Sequence, residues 1–227
     1  MNPWNSARHL VIFCCFPLVA GCNPTQYKTL AFEAKVVDAE TGEPIEGANV
    51  LASWELREET MHGTKFVGIP EIRETVTDKQ GRFRFPEVNV ANPKRVALVD
   101  DPLVVIFKPG YRRGLATSRC WLESNCKATR IAGASGETFR LKRIPEQEFL
   151  PDPKHPNRLI PAYGNFDGLY EKAMENCGPV RAPRFFEALE QERTRLSPTG
   201  SVSIPGLPGY FAVQKYSIGC NVDTRGK

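Results

Sequence analysis

Residues 36–50 read VVDAETGEPIEGANV and residues 75–85 read TVTDKQGRFRF, and these two stretches decide the fold. The first closes a run in which Leu30, Phe32, Ala34 and Val36 alternate with Ala31, Glu33 and Lys35, the period of a strand with one buried face. Asp, Thr, Gly and Pro then crowd together, residue types that supply turn conformations and interrupt a ladder. After them Ala48, Val50, Ala52, Trp54 and Leu56 resume the alternation. The second stretch repeats the plan: Asp78, Lys79, Gln80 and Gly81 make a turn whose glycine can take positive φ, and Phe83 and Phe85 point together into a core.

Two further segments extend the pattern. Leu103 to Phe107 is wholly apolar, as a strand covered on both faces would be, and Phe139 and Leu141 alternate with Arg140 and Lys142. Short strands separated by turn signals, with no helical period between Leu30 and Ile144, predict a mainly β chain folded as a sandwich.

Asp38, the pairs Thr41-Gly42, Pro44-Ile45 and Gly47-Ala48, Thr77-Asp78 with Gly81 and Phe83, and Gly110-Tyr111 occur in an order that resembles the carboxypeptidase regulatory-like family. That resemblance covers residues 30–145 and implies a transthyretin-like (prealbumin-like) β-sandwich, a non-catalytic module common in envelope proteins. The chain departs from the compact family pattern by insertions at residues 55–74 and 112–135, which is where recognition loops on a rigid sandwich would sit.

Ahead of this domain, LVIFCCFPLVAGCNP starts at Leu10. Its apolar part, residues 10–21, is well short of the ~20 residues a membrane-spanning helix needs, and the layout is that of a secretory signal. Val19-Ala20-Gly21-Cys22 resembles the lipobox of bacterial lipoproteins, which implies cleavage before Cys22 and a diacylglyceryl group on its thiol. Residues 1–21 are then the signal peptide and 22–29 a tether. Asn23 stands where Asp would resemble an inner-membrane retention signal, so the expected location is the outer membrane, with the domain in the periplasm or at the cell surface.

Cleavage removes Arg8 alone among the charged residues, leaving 29 basic against 26 acidic side chains without long runs, which does not indicate a nucleic-acid binder. Of seven cysteines, Cys14 and Cys15 leave with the signal and Cys22 carries lipid. Cys120, Cys126, Cys177 and Cys220 remain, an even number in an oxidising compartment. Three pairings exist, and chain proximity favours Cys120 with Cys126 and Cys177 with Cys220. Zinc would want paired CxxC-like spacing and a reducing environment, and neither is found.

After Ile144 five prolines fall in twenty residues, so 146–165 reads as an extended linker with neither ladder nor helix. Residues 166–227 form a helical, cysteine-stapled extension. Its second helix begins near Pro183 and carries an apolar stripe of Phe185, Phe186, Leu189 and Leu196, suited to packing on the sandwich, with docking of a partner as the alternative. Tyr210 to Ile218 reads as a closing strand.

No cofactor, metal site or catalytic set is expected. His62 and His155, the histidines left after cleavage, lack HxxxH or HExxH spacing. Ser135 sits in GASGE without a nucleophile elbow, and the neighbours Glu58 and Glu59, or Asp100 and Asp101, would point to opposite faces of a strand. The histidine-arginine set of hydroxyisourate hydrolases and the tyrosine and histidine iron ligands of intradiol dioxygenases, enzymes on related sandwiches, are not found. Lys108, Arg112 and Arg113 around Tyr111, together with Trp121, form the candidate binding surface, while Trp54 lies on the inward register. The expected partners are the membrane through Cys22 and an envelope protein, with a glycan as the alternative ligand.

Overall fold

The structure, a computed structural model, describes residues 25–92, 97–99, 102–116, 129–130, 134–149, 151–152, 155–159, 173, 176–197 and 220. Strands β1 (Gln26–Thr29), β2 (Phe32–Asp38), β3 (Asn49–Thr60) and β4 (Gly63–Val76) come first. They are followed by β5 (Arg82–Phe85), β6 (Val88–Ala91), β7 (Ala97–Val99), β8 (Leu103–Phe107) and β9 (Gly114–Ala116). Then come β10 (Thr129–Arg130), β11 (Thr138–Leu141), a 3₁₀ turn (Glu146–Phe149), β12 (Pro151–Asp152) and β13 (His155–Leu159). Among the described residues two helices follow, α1 (Gly178–Arg181) and α2 (Pro183–Leu196).

One layer is built on a ladder that begins between β1 and β6 and resumes between β2 and β5. Phe32 opposite Phe85 continues the register of Thr29 opposite Val88, so the two short antiparallel pairings are halves of one bent ribbon. Strands β10 and β11 add to it in parallel, beside β1 and β2 respectively. The second layer has the order β4-β3-β8-β9, and β7 prolongs β8 along the same side of β3.

The alternation along β3 and β8 divides their side chains between two cores. Val50, Ala52, Trp54, Val104 and Ile106 face the first layer, where they meet Phe32, Val36, Phe83 and Phe85. Leu51, Val105 and Phe107 face the other way and pack on Phe185, Phe186 and Leu189 of α2. The wholly apolar run of β8 is therefore covered on both faces, as its composition predicts. The structure is mainly β, with a short helical layer closed by a Cys177–Cys220 disulfide, in agreement with the sequence reading.

The motif residues close the turns. Gly81 has φ of 72°, its carbonyl accepts from the Val36 amide, and a Cβ there would collide with the Val36 carbonyl, so only glycine fits. Buried Thr77 donates its hydroxyl to the Ile45 carbonyl and accepts the Ala48 amide, joining the loop after β2 to the turn before β5.

Three expectations are corrected here. Residues 55–74 are not a loop inserted in the sandwich: β3 and β4 run through them as a long hairpin turning at Met61 and His62, because Ile69 and Ile72 are inward positions for the helix-facing core. Nor is the linker without regular structure, since it holds the 3₁₀ turn and an antiparallel β12-β13 ladder. That ladder has two strands, so both are edge strands, the place in a sheet where proline is tolerated. The tether of 22–29 shortens too, because Gln26–Thr29 form β1, with Tyr27 and Thr29 buried and Gln26 and Lys28 exposed.

Candidate functional site

The end of the sandwich where β2 stops gathers three segments of chain. Asp38 turns into the loop of residues 39–47, held by the Asp38 amide donating to the Glu43 carbonyl and the Gly42 amide donating to the Asp38 carbonyl. The segment after β8 comes alongside the one after β11: Tyr111 bridges Arg143, the Arg112 amide donates to the Lys142 carbonyl, and the Ile144 amide donates to the Gly110 carbonyl. Backbone bonds thus set the spacing of this rim before any side chain acts.

Asp38 is its electrostatic centre. Its Oδ1 accepts the amides of Glu40 at 2.9 Å and Thr41 at 3.2 Å, an Asx-type turn, while Oδ2 accepts the Tyr111 hydroxyl at 2.9 Å and Arg143 Nε at 2.8 Å. The Arg143 guanidinium also lies over the Tyr111 ring, 5.0 Å from its centroid. The Glu40 amide first, then the Thr41 amide, the Tyr111 hydroxyl and Arg143 hold the Asp38 carboxyl well below the usual carboxylate range, against the opposing effect of burial. Burial and the bond to Asp38 push the Tyr111 phenol up, so it stays a donor.

A depressed folded-state pKa contributes stability that is present above the unfolded value of 3.8 and is lost as pH falls below it. Thermal melts between pH 7 and pH 2 are therefore expected to drop along an acid limb beginning near pH 4. Asp38→Asn melts lower than the wild type at pH 7 and loses less on acidification. Parallel acid limbs in the two proteins would show that this carboxylate does not carry the effect.

Three residues of the predicted binding surface, Lys108, Arg112 and Arg113, are among the described residues. Lys108 Nζ donates to the Glu46 carbonyl at 2.7 Å, and Arg112 makes a bidentate contact with Glu148 at 2.6 and 2.7 Å. Arg113 is half-buried and engaged as well. Lys108 and Arg112 are thus bonded within the rim, and Tyr111 is buried. Trp54 is fully buried, as its register predicts. Cys22, Trp121, Cys120 and Cys126 lie outside the described residues, as does the strand expected at Tyr210 to Ile218. Cys177 and Cys220 are bonded. His62 is exposed at the β3-β4 turn.

A second polar site was not anticipated. Where the β3-β4 register shifts, the Ile69 amide donates to Asn176 Oδ1 at 3.1 Å, and Arg181 donates to the carbonyls of Ile69 and Pro70 at 2.8 and 2.5 Å. Glu74 accepts the amides of Arg184 and Phe185, supplying the N-terminal cap that Ala182 lacks. Burial pulls the Arg181 guanidinium down from its ordinary value while Glu71 opposes the change. These groups tie the helices to β4 across more than a hundred residues of sequence. Among the described residues, no group of three His, Cys, Asp or Glu side chains is arranged to hold a metal ion.

No family model and no curated protein matches the chain. Among solved structures it is similar to a 3-chlorocatechol 1,2-dioxygenase from Rhodococcus opacus, 19% identical with a TM-score of 0.31 over 52% of this chain and 61% of that one. It is also similar to the C-terminal domain of the shaft pilin SpaA from Lactobacillus rhamnosus GG, 15% identical with a TM-score of 0.26 over 53% of this chain and 99% of the domain. A streptococcal ancillary pilin matches at 13% identity and a TM-score of 0.25, over 54% of this chain and 30% of that one. Scores this low assign no activity.

Proposed function

We propose that the chain is a non-catalytic envelope protein, anchored in the outer membrane through lipid on Cys22, whose sandwich serves as a protein-interaction or structural module. The observation that carries this reading is where the motif's polar groups are used. The Asp38 carboxylate accepts four hydrogen bonds from its own loops, and the Thr77 hydroxyl both donates and accepts within the turns. A carboxylate so fully occupied and so firmly ionised has neither a spare lone pair nor the pKa of a general base at neutral pH. The residues resembling the family pattern are thus employed in holding the scaffold, which supports an architectural role.

Cross-linking in intact cells, comparing the native chain with Cys22→Ser, tests the reading. The native protein is expected in the membrane fraction with specific protein adducts, and Cys22→Ser is expected to lose both. Absence of any protein adduct at normal expression would overturn the assembly role and redirect the search to glycan binding.

A further inference from the structure

The sandwich begins almost at the proposed anchor. The Thr25 carbonyl accepts the Asn92 amide at 2.7 Å, and Gln26 opposite Ala91 opens the β1-β6 ladder, so the chain is already fixed to the domain at Thr25. Two residues, Asn23 and Pro24, separate it from Cys22. Whatever conformation they take, three steps of chain reach at most ~11 Å, little more than the ~5–8 Å depth of the headgroup layer of one leaflet.

We infer that the Thr25 end of the β1-β6 ribbon lies against the phospholipid headgroups, and that the rim built on Asp38 is the membrane-distal end of the molecule. The inference rests on the lipid-anchor reading and deepens it by assigning a membrane-contact surface. Gln26, Ala91 and Thr25 at the near end are exposed, and all are polar or small. These three residues can hydrogen-bond to headgroups and, among the described residues at this end, present no large apolar side chain for insertion among acyl chains. Because β1 and β2 share one register against β6 and β5, the ribbon leads away from this end without reversing. Asp38 is twelve positions beyond Gln26, up to ~40 Å at strand rise. Loop 39–47 is therefore presented outward, where an envelope partner would meet it.

The test uses the full-length lipoprotein in vesicles of phosphatidylethanolamine and phosphatidylglycerol containing headgroup-nitroxide lipid. A genetically encoded fluorescent amino acid replaces Ala91 in one protein and Glu43 in another, both exposed positions. Emission from position 91 is expected to be lost to the nitroxide and emission from position 43 retained, and a 20-residue Gly-Ser insertion between Asn23 and Pro24 is expected to restore position 91. Equal quenching at both positions, or stronger quenching at 43, overturns the orientation while leaving the anchor intact. Mass measurement of the same preparations separates the two readings, since a chain without acyl mass at Cys22 overturns the anchor and the orientation together.

Discussion

Trp54→Ala is expected to lower the unfolding free energy by about 3–5 kcal/mol, the range for removing a large buried ring. Trp54 is fully buried between the two sheets, and its indole Nε1–H donates to the Thr29 hydroxyl at 3.0 Å, itself buried. The substitution therefore opens a cavity at the centre of the inter-sheet core and leaves a hydroxyl of β1 with one fewer donor. In a chain of this size each kcal/mol shifts Tm by about 2–4 °C, so a fall of roughly 10 °C is expected. Trp54→Phe separates the two contributions: it restores most of the volume but not the N–H, and should fall between the wild type and Trp54→Ala. Calorimetry and urea unfolding measure this directly. A loss below about 1 kcal/mol for Trp54→Ala, the size expected at a surface position, would mean that the ring does not bridge the layers.

Trp54 also shows how far the sequence carries. Its inward register, the turns at Asp38 and Asp78 and the doubly covered strand at Leu103–Phe107 were all legible, because each is a local matter of period two or of turn chemistry. The stripe on α2 was legible for the same reason, although the sequence could not say which strands it would meet. The long β3-β4 hairpin was hidden because Pro70 and Gly68 interrupt it where the register shifts. Strand β1 was hidden because only Tyr27 among its four residues is clearly apolar.

The side-chain bonds were less accessible still. Asp38 and Tyr111 stood out only as elements of an ordered pattern, and nothing local marks Arg143, 105 residues from Asp38, as their companion. Arg112 looked like a ligand-binding cation because its neighbours are basic. Its neutralising partner, Glu148, comes from a segment that sequence reading treated as linker. A charge count along the chain shows an excess; which carboxylates meet it depends on the topology, and here Glu148 and Asp38 return to Arg112 and Arg143.

The same dependence on distant partners sets the second large effect. Replacing both Cys177 and Cys220 with Ser is expected to loosen the helical layer before the sandwich. The bridge spans 43 residues, and the chain-entropy model assigns closure of such a loop about 4 kcal/mol. Cys177 immediately precedes α1 with φ of 62°, a left-handed conformation unusual for a side chain with a Cβ. Beside it, Asn176 and Arg181 satisfy the backbone groups of Ile69 and Pro70 that the shifted β3-β4 register leaves outside the ladder. Without the bridge these groups still bond, but the segment no longer has its covalent hold on Cys220. Hydrogen exchange is expected to accelerate at the amides of α2 while those between β2 and β5 keep their protection, because Phe32, Phe83 and Phe85 pack in the inter-sheet core and not on the helix. Phe185 and Phe186, withdrawn from Phe107, would then become accessible to an apolar dye. Uniform loss of protection would instead show that sandwich and helix unfold as one unit, with β8, buried from both sides, as the element that couples them.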